Sequence, residues 1–239
     1  MVEIKNTHVY NLEQAIVAAG NAMRVQPEEV TPDTIAKAIS RCKKLSKLGG
    51  GSGHSNFRTG ILVTFDLKYP QYFTKQAQRY HFLQYVSSTS MMHCLIKMNM
   101  DKCCNKYVAP GMKKMVNEMT KFYTFMFNNR DQYEAFSDFR KDWELFVFNN
   151  FGPSDEQLVH AMLTPDDVLY DCYMRILSNT PMGAELWVHC STNYEQLATI
   201  YRQRRNHKLK EDWGEFCAWI ESLPYAQDLI CSGPINDEH

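Results

Sequence analysis

Arg79 stands in Gln76-Ala77-Gln78-Arg79-Tyr80-His81-Phe82, a stretch with the residue types to hold an anion. Its guanidinium can place two N–H donors on one phosphate, which a lysine cannot do with the same geometry. On a helix, Gln76, Arg79 and Tyr80 occupy positions i, i+3 and i+4 and share one face. Downstream, Val86-Ser87-Ser88-Thr89-Ser90-Met91-Met92-His93 adds hydroxyls and backbone N–H groups suited to oxygen acceptors. The same residues also read as a solvated arginine beside a Ser-rich turn, and residue type alone leaves both readings open.

Three further stretches could join that chemistry. Gly53-His54-Ser55-Asn56-Phe57 precedes a strand pattern. Its glycine can bring the backbone close to a flat ligand, or simply end a loop. Arg175 lies among Met174, Ile176 and Leu177. A charge in apolar surroundings needs a partner, either a ligand phosphate or a carboxylate from another helix. The fourth stretch, Ser191-Thr192-Asn193-Tyr194-Glu195-Gln196-Leu197, carries residues that cap helices. It leads into Tyr201-Arg202-Gln203-Arg204-Arg205-Asn206-His207-Lys208, whose arginines suit the negative end of a helix dipole. Other catalytic signatures are missing: no G-x-S-x-G elbow, no H-E-x-x-H pair, no G-x-G-x-x-G fingerprint and no deaminase pattern.

These residues need elements to position them. Leu12, Ile16, Ala19 and Met23 form one helical stripe, predicting a helix over 12–23. Thr31-Pro32-Asp33 starts a second helix that runs to about Lys47. Gly49-Gly50-Gly51-Ser52-Gly53 is a loop, not a phosphate loop, because no Gly-Lys-Ser/Thr closes it. Ile61, Val63, Phe65 and Leu67 alternate as a strand that Tyr69-Pro70 ends. Phe73–Tyr85 reads as an aromatic-rich helix, and Val86–Ser90 as a loop or short strand. Helices follow from Pro110 to about Phe127, from Tyr133 to Phe148, after a cap at Ser154, and from Thr164-Pro165 to about Leu177. Glu185–Ser191 is a second strand, Thr192–Asn206 a helix, and Glu211–Ser222 a last helix. The reading is one mixed α/β domain over 1–239, of α+β class.

Composition sets the outer limits. With 44% apolar and 22% charged residues, the 239-residue chain can bury a sizeable core. Aromatics at 13% can fill that core or line a pocket for a flat ligand. A net charge of −1 gives no global attraction to nucleic acid or an anionic membrane, so neither is expected as a partner. No apolar run reaches membrane-spanning length. The eight cysteines form no C-x-x-C pair and sit mostly among apolar residues, predicting structural thiols, no metal, and a reducing cytoplasm.

Taken in order, the four stretches resemble the flavin-dependent thymidylate synthase (ThyX) family. That family has a Gly-His-x-Ser-like segment before a strand, as at Gly53-His54-Ser55-Asn56. Its Gln-x-x-Arg-His-Arg segment is matched by Gln76-Ala77-Gln78-Arg79-Tyr80-His81, with a Ser-x-Arg-Tyr segment downstream. An arginine in a helix before a strand is matched by Arg175, an asparagine opening a helix by Asn193, and an arginine three turns on by Arg204. The likeness covers about 35–95 and 170–225; about 100–165 is an enlarged helical segment outside it. The resemblance implies a ThyX-like central sheet flanked by helices, in a helix-rich homotetramer with FAD between subunits. It further implies transfer of a one-carbon unit to C5 of a pyrimidine deoxynucleotide, dUMP by default, giving dTMP. Methylenetetrahydrofolate would be the carbon donor and NADPH the reductant. Another base such as cytosine (dCMP), a hydroxymethyl product, or nucleotide binding without catalysis are the alternatives.

By position, the resemblance puts His54, Arg79, Tyr80, His81, Asn193 and Thr199 on flavin. It puts Gln76, Ser87, Ser88, Thr89, Ser90, His93, Arg175 and Arg204 on the nucleotide. The pattern departs from the family at Tyr80 and His81 in Arg-His-Arg, and at Ser87, where the family has glutamate. It also departs at Met91 or Met92, where it has arginine, and at Glu195, usually basic. His93 is the candidate to replace the missing arginine.

Overall fold

The computed structural model describes residues 1–48, 53–130 and 136–232. Residues 49–52 of the glycine loop and 133–135, at the start of the helix expected there, lie outside the described residues. In chain order the regular elements are β1 (Glu3–Tyr10), α1 (Leu12–Ala18), α2 (Pro32–Ser46), β2 (Leu62–Pro70), α3 (Gln71–Ala77), β3 (Gln84–Ser88), α4 (Met91–Cys94), α5 (Met100–Cys103), α6 (Pro110–Asn129), α7 (Phe136–Phe151), α8 (Pro153–His160), α9 (Pro165–Asn179), β4 (Glu185–Asn193), α10 (Tyr194–Arg204), α11 (Lys210–Glu221) and α12 (Ala226–Leu229). The class is α+β. Two compact units form: residues 1–89 with 185–239, and residues 90–184.

The first unit is built on an antiparallel sheet of order β1-β2-β4-β3. β2 and β4 pair without interruption from Leu62↔Asn193 to Pro70↔Glu185. Alternation sorts their side chains. Val63, Phe65 and Leu67 of β2 are fully buried, and Leu186, Val188 and Cys190 of β4 bury the same face. Phe73 of α3 and Trp213, Phe216 and Ile220 of α11 cover that face, with Phe73 and Trp213 centroids 4.4 Å apart and Phe65 and Phe216 6.0 Å apart. Each such side chain contributes roughly 1.5–3 kcal/mol by leaving water.

Where local signals were strong, the elements follow the sequence. α2 starts on a capping box at Thr31 and Thr34 with Pro32 in its first turn. α9 repeats this with Thr164, Asp167 and Pro165. β4 and α11 also run close to their expected bounds.

Three expectations need correction. The helix expected over 12–23 stops at Ala18 and gives way to a 3-10 turn at Asn21–Met23. There Arg24 Nη1 and the Gly20 amide both donate to the Val17 carbonyl, and a Cβ at Gly20 would meet the Arg24 and Arg41 guanidinium groups. The helix expected over 73–85 ends at Ala77, and the chain turns into β3. Tyr80 and Leu83 are 6% and 5% exposed, so burying them pulls the backbone off the helix axis, while Gln196 Oε1 takes the Phe82 amide. Finally, α8 starts from Gly152 at φ 108° with no side-chain cap, not from a cap at Ser154.

The strand β1 was not legible. Its sequence, Glu-Ile-Lys-Asn-Thr-His-Val-Tyr, lacks a clean alternation, Asn6 is left-handed at φ 51°, and its register with β2 shifts between Lys5 and His8.

The second unit is helical. Its core holds Trp143, Met119, Val116, Met126, Val159, Val168, Cys172 and Ile176, all fully buried. Phe122 stacks on Trp143 at 4.9 Å, and Trp143 Nε1 donates to Asp171 at 2.9 Å. Among the described residues no helix is long and apolar enough to cross a membrane.

Candidate functional site

Gln76, Tyr80 and Arg204 come together in the first unit, although they do not share a helical face. Gln76 is on α3, Arg79 lies in the turn after it, and Tyr80 follows that turn. Trp213 of α11 is the meeting point. Its Nε1 donates to Gln76 Oε1 at 2.9 Å, and its ring stands edge-on to Tyr80 at 6.2 Å. The Arg204 guanidinium sits 4.9 Å from the Trp213 centroid and 5.5 Å from that of Tyr80, within cation–π range. Arg204 Nε donates to Tyr80 Oη at 2.6 Å, and Tyr80 Oη donates to Gln203 Oε1 at 3.0 Å. Burial pushes the Tyr80 hydroxyl pKa up, and the charges of Arg204 and Arg79 pull it part of the way back.

Arg79 is exposed and has no hydrogen bond or ion pair among the described residues. His81, two residues on, is also exposed. Nearby in the chain past α10, burial and then the charges of Arg204 and Lys208 hold His207 below the ordinary histidine range. Its Nδ1 accepts from the Leu209 amide at 3.1 Å. The arrangement around Tyr80 is electropositive and has spare donors, which suits a phosphate.

The other expected residues are placed as follows. His54 is exposed in the segment leading to a 3-10 turn at Asn56–Gly60. Asn193 is the N-cap of α10, accepting from the Gln196 amide at 2.9 Å. Thr199 donates its hydroxyl to the Glu195 carbonyl at 3.2 Å. Ser87 and Ser88 are exposed on β3, paired with His189 and Val188 of β4, and the Thr89 amide donates to the Trp187 carbonyl at 2.8 Å. Ser90, His93 and Arg175 belong to the second unit. His93 is exposed. Arg175 has the carboxylate partners of the alternative reading: Nε meets Asp171 at 2.9 Å and Nη1 meets Asp155 at 3.0 Å, with Phe151 4.7 Å beneath. Two open hollows of about 520 and 300 Å³ also lie on the second unit, and none of the candidate residues lines them.

Arg58 was missed. It is 2% exposed and sends Nε and Nη2 to Glu195 Oε2, both at 2.6 Å, and Nη1 to the Leu229 carbonyl at 2.9 Å. It thereby ties the His54 segment to the first turn of α10 and the end of α12. Glu195, the acidic residue at a position usually basic in the resembled family, is the partner that neutralises it. No local signal marks the pair, because 137 residues separate its members.

Burial raises the thiol pKa of six cysteines, to about 11 for Cys42 and Cys231 and about 12 for Cys190 and Cys217, with Cys104 and Cys172 also raised. Those sulfurs stay protonated near neutral pH, so none of the six is an activated nucleophile.

No family model matches the chain, and no curated protein matches it in sequence. Solved structures do. Two structures of the flavin-dependent thymidylate synthase ThyX from Helicobacter pylori, each with FAD and dUMP, align at 14% identity. One match covers 95% of this chain and 97% of the other at a TM-score of 0.53. The second covers 96% and 97% at 0.55. The chain therefore has the fold of the flavin-dependent thymidylate synthases, along nearly its whole length.

Proposed function

We propose that this chain is a flavin-dependent one-carbon transferase acting at C5 of a pyrimidine deoxynucleotide, with dUMP as acceptor, FAD as cofactor, methylenetetrahydrofolate as carbon donor and NADPH as reductant. The observation that carries the reading is Arg79. It presents an exposed guanidinium without a partner among the described residues, in a chain whose fold neighbours hold FAD and dUMP. Its own residues fit phosphate-bearing ligands. Arg79 and the terminal nitrogens of Arg204 supply positive donors, His81 supplies an exposed imidazole, and Ser87 and Ser88 supply exposed hydroxyls. Trp213 and Tyr80 brace the Arg204 guanidinium, so that less side-chain entropy is lost when it takes a ligand oxygen. Bound FAD would supply the redox chemistry that no side chain here offers. The protein's part is placement and charge. A homotetramer in the cytoplasm is part of the same reading, as is the choice of dUMP over dCMP and of a methyl over a hydroxymethyl product.

A second reading, nucleotide binding without catalysis, is favoured by one observation. Tyr80, Asn193 and Thr199, which the resemblance assigns to flavin, each spend their side-chain bonds inside the protein. The visible spectrum of the purified protein with and without added FAD separates the two. Bound-flavin bands that dUMP perturbs, and that Arg79→Ala weakens, support the transferase. Losing the charge-assisted bonds of Arg79 costs about 1.5–3 kcal/mol, or roughly 10–100-fold in affinity. A protein that stays colourless with FAD, yet melts at a higher temperature with dUMP, supports the binding-only reading.

A further inference from the structure

Residues 91–104 read Met-Met-His-Cys-Leu-Ile-Lys-Met-Asn-Met-Asp-Lys-Cys-Cys. Of the chain's 13 methionines and eight cysteines, four and three fall within these fourteen residues. Met100 belongs to the second unit's core, and Met91, Met98 and Cys104 pack against it. In the structure two of the sulfurs meet. Cys104 Sγ lies 3.8 Å from Met100 Sδ, one helical turn away. A three-coordinate cation bonded to both sulfurs at about 2.3 Å, with bond angles near 110–120°, spaces them roughly 3.8–4.0 Å apart and leaves one position for a third sulfur.

The backbone holds this pair in place. The Met100 amide donates to Asn117 Oδ1 at 2.9 Å, and the Asn99 side chain caps α5 by accepting from the Asp101 amide. Cys104 forms a β-bridge with Ala184, and the next amide, Asn105, donates to the Gly183 carbonyl at 3.0 Å. Met100 is fully buried while Cys103 and Cys104 are half-buried, so the thioether is fixed and the thiols stay reachable. Asp101, the nearest carboxylate in the chain, already takes the Asn117 amide group at 3.0 Å. Among the described residues no three His, Cys, Asp or Glu side chains group as a zinc site would need. The donors left are thiol and thioether sulfur, which select Cu(I) over the harder divalent metals.

We propose that Met100 Sδ and Cys104 Sγ, with Cys103 beside them in the chain, form a binding site for a soft monovalent cation of the Cu(I) or Ag(I) class. Binding replaces the Cys104 proton with the metal and releases that proton to solvent.

The test is anaerobic titration of the full chain with Cu(I) against a chromophoric Cu(I) chelator, repeated with Ag(I), which needs no reductant. The expected result is one equivalent taken up per chain. Affinity should fall at least ~10-fold in Cys104→Ser and in Met100→Leu, and remain unchanged in Cys217→Ser, whose buried sulfur is in the other unit. Met100→Leu conserves core volume, and circular dichroism of each variant separates lost ligands from lost fold. X-ray absorption of the copper-loaded chain should show a sulfur-only first shell. Equal loss in Cys217→Ser, undiminished uptake by folded Cys104→Ser and Met100→Leu, or Zn(II) competing on equal terms would overturn the proposal.

Discussion

Replacing Glu195 by alanine strands the Arg58 guanidinium. Arg58 is 2% exposed and sends both Nε and Nη2 to one carboxylate oxygen of Glu195. Burial lowers its pKa and Glu195 raises it again, yet a guanidinium stays charged at any working pH. The variant must therefore keep a buried charge with only the Leu229 carbonyl to stabilise it. Breaking a buried pair in this way costs about 3–5 kcal/mol. For chains of this size each kcal/mol moves the melting temperature by roughly 2–4 °C, so Glu195→Ala should melt about 6–20 °C lower. The double variant Arg58→Met, Glu195→Ala removes both charges, and it should recover part of the loss. Thermal melts of wild type, both single variants and the double variant make the cycle. A shift under about 2 °C for Glu195→Ala, or a double variant no more stable than that single one, would refute the claim that charge neutralisation is what the pair contributes.

Four smaller perturbations follow from the same geometry. His207 has a depressed pKa, so it contributes stability above about pH 6.5 that is lost as the pH falls, because the unfolded chain takes the proton first. His207→Gln should flatten the decline of melting temperature as the pH falls below about 6.5, and parallel wild-type and variant curves would contradict this. Thr164→Ala deletes the capping box of α9 and should cost about 0.5–2 kcal/mol in urea denaturation. Trp213→Phe keeps the ring but orphans Gln76 Oε1, for a loss of about 1–3 kcal/mol by the same assay. Arg175→Met should lower stability by about 1–3 kcal/mol through its two carboxylates; weakened nucleotide binding with unchanged stability would instead assign Arg175 to the ligand.

The sequence disclosed those parts of the fold that rest on near neighbours. Thr31-Pro32 and Thr164-Pro165 announced their helices because a cap is a local bond, made within four residues. The alternation of Val63, Phe65 and Leu67 announced β2 because one face is wholly buried. What stayed hidden depended on distant partners. Tyr80 looks helical until Trp213, more than a hundred residues later, gives its ring a place to pack. Arg58 looks like a loop residue until Glu195 is known to sit beside it. Arg79, Tyr80 and Arg204 stood out in the sequence through a motif-level likeness, while the role of Trp213 in joining Gln76, Tyr80 and Arg204 did not.

The register shift described in β1, which β3 shares, has a consequence for the protein in a crowded solution. These two strands border the sheet, and each is interrupted, β1 between Lys5 and His8 and β3 between Tyr85 and Ser87, whereas β2 and β4 inside are regular. A straight outer strand offers an unbroken row of N–H and C=O groups on which another chain can template, and the first step of aggregation is often that pairing. Here each border offers only short runs, and the left-handed Asn6 turns part of one of them out of plane. Deleting Asn6 would straighten β1, and the foreseeable cost is self-association of an otherwise folded chain.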